Sequence, residues 1–317
     1  IVPDHDLNLM RAGQSLSQLT AAILSGLEPI VKDFKPDCII VHGDTTTAFA
    51  ASLVAFYMNV KIAHVEAGLR TKTVYAPFPE EFNRRTTALY ADLHFAPTHL
   101  AKQNLLSEGV SPDRVFITGN TVVDALLMTR DMIERDQRLS EELQRQLTQH
   151  IGDDWKEGRL VLVTGHRREN FGSRLLNICR ALRELASSFP NVKFVYPVHL
   201  NPNVQGPVQN ELGHLANVRL IRPLGYQPFV ELMKNCSLVL TDSGGIQEEA
   251  PSLAKPVLVM RDETERPEAI AAGTVKLVGS RSDTIFKEVF ELLLDSEKYD
   301  DMSSATNPYG DGTACRQ

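Results

Sequence analysis

Apolar and polar positions alternate along this chain in two registers. Short apolar runs recur between longer stretches whose apolar residues fall every third or fourth position. The first pattern predicts buried strands, the second amphipathic helices. Leu16, Leu19, Ile23, Leu27 and Ile30 draw one apolar stripe and predict a helix over 15–34. Cys38 to Val41 then reads as a strand, 45–58 as a helix and Ile62 to Val65 as a strand. A helix over 80–91 opens after Pro79, followed by strand Leu93 to Ala96, helix 98–108 and strand Val115 to Thr118.

A long, charged helical stretch over 121–149 ends at Gly152-Asp153-Asp154, where a domain junction is expected. The alternation then restarts. It runs through strands at 159–163, 192–197, 218–221, 237–241, 256–259 and 274–278. Helices fill the intervals at 173–188, 203–215, 227–235 and 245–253, with a last one at 282–295. Short buried strands separated by amphipathic helices predict parallel sheets covered on both faces. The fold class is α/β, with two doubly wound domains taken as 1–120 and 121–317. Neither a signal peptide nor an initiator Met opens the chain, and no final helix closes it, so the reading expects a fragment trimmed at both ends.

Composition narrows the partners. A net charge of −7 argues against nucleic acid, whose phosphates need a basic face. No apolar run approaches the ~20 residues of a membrane helix. Cys38, Cys179, Cys236 and Cys315 lie far apart and form no C-x-x-C pair, so they read as small buried hydrophobes in a reducing compartment. Neither zinc nor a disulfide frame is expected from them.

Ligands in parallel sheets bind at the carboxyl ends of strands, and polar clusters fall there. These are His42-Gly43-Asp44-Thr45, His64-Val65-Glu66-Ala67-Gly68-Leu69-Arg70, Thr164-Gly165-His166-Arg167-Arg168-Glu169-Asn170, Pro197-Val198-His199 and Thr241-Asp242-Ser243-Gly244-Gly245. Pro79-Glu80-Glu81-Phe82-Asn83-Arg84 begins a helix. The last of the strand ends feeds a glycine turn and a helix start, which suits a phosphate, and Glu248 or Glu249 one turn later suits a ribose diol. Plainer roles stand beside these. Asp44 with Thr45 caps a helix, Glu66 pairs with Arg70, Ser243 caps the helix after it, and one of Glu80 and Glu81 only complements the helix dipole. The first half collects carboxylates, and the second collects phosphate and ribose groups.

H-G-D-T-T-T (42–47), H-V-E-A-G-L-R-T (64–71), P-E-E-x-N-R (79–84), T-G-H-R-R-E-N (164–170), D-S-G-G-I-Q-E-E-A-P (242–251), T-E-R-P-E (264–268) and N-P-Y-G-D-G (307–312) occur in order. Together they resemble the non-hydrolysing UDP-N-acetylglucosamine 2-epimerases of bacteria over essentially the whole chain. The resemblance implies two Rossmann-like domains in the glycosyltransferase-B arrangement, the second binding UDP, with the active site in an interdomain cleft. It implies a cytoplasmic homodimer that needs no cofactor and no metal, interconverts UDP-N-acetylglucosamine and UDP-N-acetylmannosamine, and supplies surface polysaccharide synthesis. Asp44, Glu66, Glu80 and His166 are then catalytic. Arg84, Arg167, Phe229, Ser243, Gly244, Gly245 and Glu249 bind substrate. Gln14 and His199 align with a subsite where a second substrate molecule activates some members, and Gly13 stands where those members carry an arginine. The family's opening strand and G-T-R-P-E turn have no counterpart in the sequence. The first domain is therefore expected to be incomplete at its N-terminus and the chain poorly active.

The implied chemistry accounts for the residue types. No carbonyl adjoins C2, so its hydrogen becomes removable only as UDP leaves C1. Elimination and re-addition then need a base, an acid on the other face and a stabilised leaving group. Two alternatives share the fold: a nucleotide-sugar glycosyltransferase and an inactive nucleotide-sugar binder. A metal-dependent hydrolase using His42, Asp44, His64 and Glu66 is a third. An NAD-dependent 4-epimerase is disfavoured because no G-x-G-x-x-G occurs.

Overall fold

The computed structural model describes residues 2–11 and 13–317, with Arg168 by its backbone alone. The chain divides into one unit of Ile1–Thr121 with Thr313–Gln317 and a second of Val122–Gly312. The last five residues therefore group with the first unit, whereas the sequence reading gave all of 121–317 to the second. Gly152-Asp153-Asp154 lies inside the second unit.

In the first unit the order is α1 (Leu16–Phe34), β1 (Cys38–His42), α2 (Thr46–Tyr57), β2 (Lys61–Val65), α3 (Glu80–Tyr90), β3 (Leu93–Ala96), α4 (His99–Ser107) and β4 (Val115–Ile117). The strands form a parallel sheet in the order β1-β2-β3-β4. Side-chain oxygens start three of the helices. Ser15 and Gln18 close a capping box on α1, and Thr45 and Thr98 accept from the N–H groups of Ala48 and Ala101, each at 3.1 Å. Among the described residues β1 lies at the sheet edge and pairs with β2, and Ile40 is 70% exposed. Cys38 and Cys315 are exposed too, which corrects their expected burial. For Cys38 the reason is its place on that edge strand.

The second unit opens with α5 (Thr121–Arg135) and α6 (Gln137–Ile151). It continues through β5 (Arg159–Thr164), α7 (Ser173–Ser188), β6 (Val192–Pro197), α8 (Pro202–Leu212), β7 (Val218–Ile221) and α9 (Tyr226–Asn235). Then follow β8 (Leu238–Thr241), α10 (Ile246–Ser252), β9 (Val257–Val259), α11 (Pro267–Ala271), β10 (Val275–Leu277), α12 (Ser282–Leu294) and α13 (Ser296–Ser304). The expected single helix over 121–149 is two. Asp136 breaks it, its carboxylate accepting from the N–H groups of Arg138 at 3.0 Å and Leu139 at 3.1 Å as the N-cap of α6. α11 and α13 were not expected.

All six strands of this sheet are parallel, in the order β10-β9-β8-β5-β6-β7. The chain starts at the centre with β5, runs outward through β6 and β7, then crosses to β8 on the other side. That reversal is the switch point at which open α/β sheets bind ligands. Successive residues of β5 point to opposite faces, so Val161 and Val163 enter one core and Leu160 and Leu162 the other. Cys179 and Cys236 are buried in these cores, where burial pushes both thiols up to about 12. Among the described residues, no helix is long and apolar enough to cross a membrane.

Candidate active site

β1 delivers Gly43 and Asp44 at its carboxyl end. Thr45 caps α2, so Asp44 is not needed there. Instead its Oδ2 accepts from Arg84 Nη2, and its backbone oxygen accepts from Asn83 Nδ2 at 2.8 Å. Gly43 has φ +67°, and a Cβ there would lie 2.8 Å from Glu66 Oε2, so a larger residue would displace that carboxylate. Glu66 itself has φ +64°, an uncommon backbone state for a residue with a side chain. Asn120 Nδ2 donates to Glu66 Oε1 at 2.9 Å.

The plainer alternative, a Glu66–Arg70 pair, is not formed. Arg70 forms a two-pronged bridge to Glu108, with contacts of 2.8 and 2.6 Å. The adjacent acids of the P-E-E motif also separate. Glu81 is wholly buried and paired with Arg84 at 3.2 Å and Arg85 at 2.6 Å, whereas Glu80 is half-buried and makes no ion pair among the described residues. Glu81 therefore carries the structural role and Glu80 stays available. His64 is buried with Nε2 2.8 Å from the Gly43 oxygen, and burial holds its ring down to about 4, that is, neutral at pH 7. Among the described residues, no group of three or more His, Cys, Asp or Glu side chains is placed to hold a metal ion.

In the second unit, β5 and β8 end side by side, with the hydroxyls of Thr164 and Thr241 2.6 Å apart. Asp242, fully buried, accepts from the backbone N–H groups of His166 and Arg167. The His166 ring is exposed, with Nδ1 3.7 Å from Asp242 Oδ1, and it stacks on His199 at 5.7 Å between centroids. Partial burial lowers its pKa while the Asp242 charge opposes that shift. Arg167 is half-buried.

Ser243 does not cap α10. Gly245 occupies the N-cap position without a side-chain bond, and the Ser243 N–H turns back to Thr241 Oγ1 at 3.0 Å. Among the described residues, the N–H groups of Gly244 and Gly245 have no hydrogen-bond partner in the protein. A Cβ on Gly244 would lie 2.6 Å from Arg266 Nη1 and 2.8 Å from Glu265 Oε1. Both belong to a buried ion network. Arg266 binds Glu248 and Glu265, and Arg261 binds Glu265 at 3.0 Å and Glu169 at 2.9 Å. Glu248 is therefore structural. Glu249 instead accepts from Tyr226 Oη at 2.8 Å, and its pKa is raised by burial, with the Tyr226 bond pulling the other way. Phe229 is half-buried, one helical turn beyond Tyr226, against the core.

Asn120 and Tyr226 were not singled out from the sequence. Asn120 follows β4 at a carboxyl strand end, the signal that marked the other clusters. Gln14 lines a cavity of about 450 Å³ with Arg11 and Gly13 in the first unit.

Parallel α/β units with acids at the strand ends of one and a glycine turn beside a Tyr-held carboxylate in the other define a Rossmann-like enzyme. A family profile described as UDP-N-acetylglucosamine 2-epimerase matches residues 1–317. The chain is 56% identical to the UDP-N-acetylglucosamine 2-epimerase of Salmonella typhimurium over 315 residues, covering 99% of this chain and 83% of that protein. It is likewise 56% identical over 315 residues to the enzyme of the same name from Escherichia coli K12, again with 99% and 83% covered. A crystal structure of UDP-GlcNAc 2-epimerase from Neisseria meningitidis bound to UDP-GlcNAc superposes with a TM-score of 0.94 at 50% identity, covering 100% of this chain and 84% of that one. The chain belongs to the UDP-N-acetylglucosamine 2-epimerase family and is an isomerase.

Proposed function

We propose that the chain interconverts UDP-N-acetylglucosamine and UDP-N-acetylmannosamine by elimination and re-addition of UDP, and so supplies surface polysaccharide synthesis. The observation that carries this reading is the division among the acids. Glu81 and Glu248 are fully buried and held by arginines, while Asp44, bound to Arg84, and Glu66 and Glu80 keep partial exposure at strand ends or a helix start, and Glu249 is held by Tyr226 rather than by an arginine. In the forward step the C1–O bond breaks, a carboxylate takes the C2 proton and a C1=C2 double bond forms. In the return step UDP oxygen rebuilds the bond to C1 while C2 is protonated on the other face. Asp44, Glu66 and Glu80 supply that proton chemistry.

His166 faces the departing phosphate oxygen as a neutral donor, supported by its lowered pKa. Arg167 adds positive charge for substrate binding, whereas Arg84, buried and paired with Asp44 and Glu81, serves by holding Asp44 in place. Ser243, Gly244 and Gly245 cradle the diphosphate, supported by the two glycine N–H groups that lack protein partners among the described residues. Glu249 takes the ribose diol and Phe229 lies near the uracil. The working form is a cytoplasmic homodimer, and Gln14 and His199 each align with a family position linked to activation.

The test is incubation with UDP-N-acetylglucosamine in D₂O. The epimer formed, and recovered substrate, should carry deuterium at C2 by NMR. Epimer that keeps its original hydrogen rules out this route.

A further inference from the structure

Asp242 stands at the switch point of the six-stranded sheet, where β8 ends beside β5. Its carboxylate is completely buried. A buried carboxylate is costly unless its lone pairs are filled. Here they are filled by one loop. The His166 N–H is shared between Oδ1 at 3.1 Å and Oδ2 at 3.0 Å. Oδ2 also accepts from the Arg167 N–H at 3.0 Å and from Asn170 Nδ2 at 3.1 Å. The same Asn170 amide reaches on to the Met260 oxygen at 3.1 Å, just beyond β9. Tyr196 Oη donates to the Gly165 oxygen at 3.0 Å and holds the near end of the loop to β6. The turn carrying His166 and Arg167 is thus tied to three strands besides its own, with Asp242 as the hub.

We propose that Asp242 is a positioning residue that fixes the His166–Asn170 loop, so that the His166 ring meets the leaving diphosphate in one orientation. The inference rests on the functional reading above, because it takes His166 to act on that group. The chemistry requires an acceptor-only side chain. Three N–H donors converge on Asp242 Oδ2 and the His166 N–H also reaches Oδ1, where an amide would set its own NH₂ against that donor. Serine or threonine would be too short to serve all three.

The experiment compares Asp242→Asn with wild type in the intact protein. The expected kcat falls roughly 10²-fold, as for small misplacements of a reacting group, while UDP affinity is held. NMR titration of His166 should move to lower pH, because the Asp242 charge that raises it has gone while Arg167 and His199, which lower it, remain. A folded variant with wild-type kcat overturns the inference. So does loss of kcat with an unmoved His166 titration, or loss of UDP binding together with kcat. Should Asp242→Asn fail to fold, Asn170→Ala carries the test, since it removes one donor and leaves the charge. Its kcat should fall several-fold with KM held, and wild-type kcat there overturns the inference. If wild type incorporates no deuterium at C2, the functional reading falls on its own, and the titration still decides the clamp.

Discussion

Asp44 meets its surroundings through two kinds of contact. Its backbone oxygen is held by Asn83, and its carboxylate by Arg84. Asp44→Asn keeps an oxygen for Arg84 and the backbone bond, so the fold should survive while the exchangeable proton site is lost. Turnover should drop by about 10² or more, and UDP affinity by calorimetry should stay at the wild-type level. Loss of both together would make Asp44 a structural residue. At this scale the sequence marked polar clusters at the strand ends, but the residue pattern by itself did not show which member of a pair of adjacent acids is tied up in a buried ion pair. Neighbours on a helix point about 100° apart, and which of them meets a buried arginine depends on packing that a motif does not encode. Glu80 and Glu81 diverged this way, as did Glu248 and Glu249. The plainer pairing of Arg70 with Glu66 fails for a related reason. Its partner Glu108 is distant in the chain but near in the fold.

Elements were far more legible, because a buried strand or an amphipathic helix writes its period directly into the chain. The strands and most of the helices fall where the apolar pattern predicts them. What the pattern misses is interruption. The stretch over 121–149 keeps helical composition throughout, yet one aspartate cuts it by offering its carboxylate to the next turn. Asp136→Ala should therefore remove the cap of α6 and cost about 1 kcal/mol, read as a lower urea midpoint with an unchanged slope. An unchanged midpoint would assign the break to packing rather than to the cap. The crossing from β7 to β8 was also hidden, since strand order depends on which edge the chain returns to, and alternation is silent about that.

For the molecule as a whole, the sheet of the first unit holds a pH response. His64 and His94 face each other across the β2–β3 ladder, both buried, and burial brings each ring down to about 4 from 6.5. The Gly43 and Ala91 backbones, Asp44 and Asp92 favour charging them; Arg70 and Arg114 oppose it. A folded-state pKa below the unfolded value favours the neutral form. The contribution of these rings to stability is therefore complete above about pH 6.5 and is lost as pH falls toward 4. Urea unfolding at pH 7 and pH 5 should differ by on the order of 1–2 kcal/mol per ring, and equal midpoints would falsify that assignment. The division into units was only partly visible from sequence, because the tail that joins the first unit is remote from it along the chain. The spacing around Gly244 constrains how this sequence can drift. With Arg266 and Glu265 already touching the place a methyl group would occupy, a side chain at 244 would have to push the ends of that ion pair aside. Positions 244, 265 and 266 are therefore coupled in descent: a substitution at the turn is paired with a rearranged or smaller ion pair behind it.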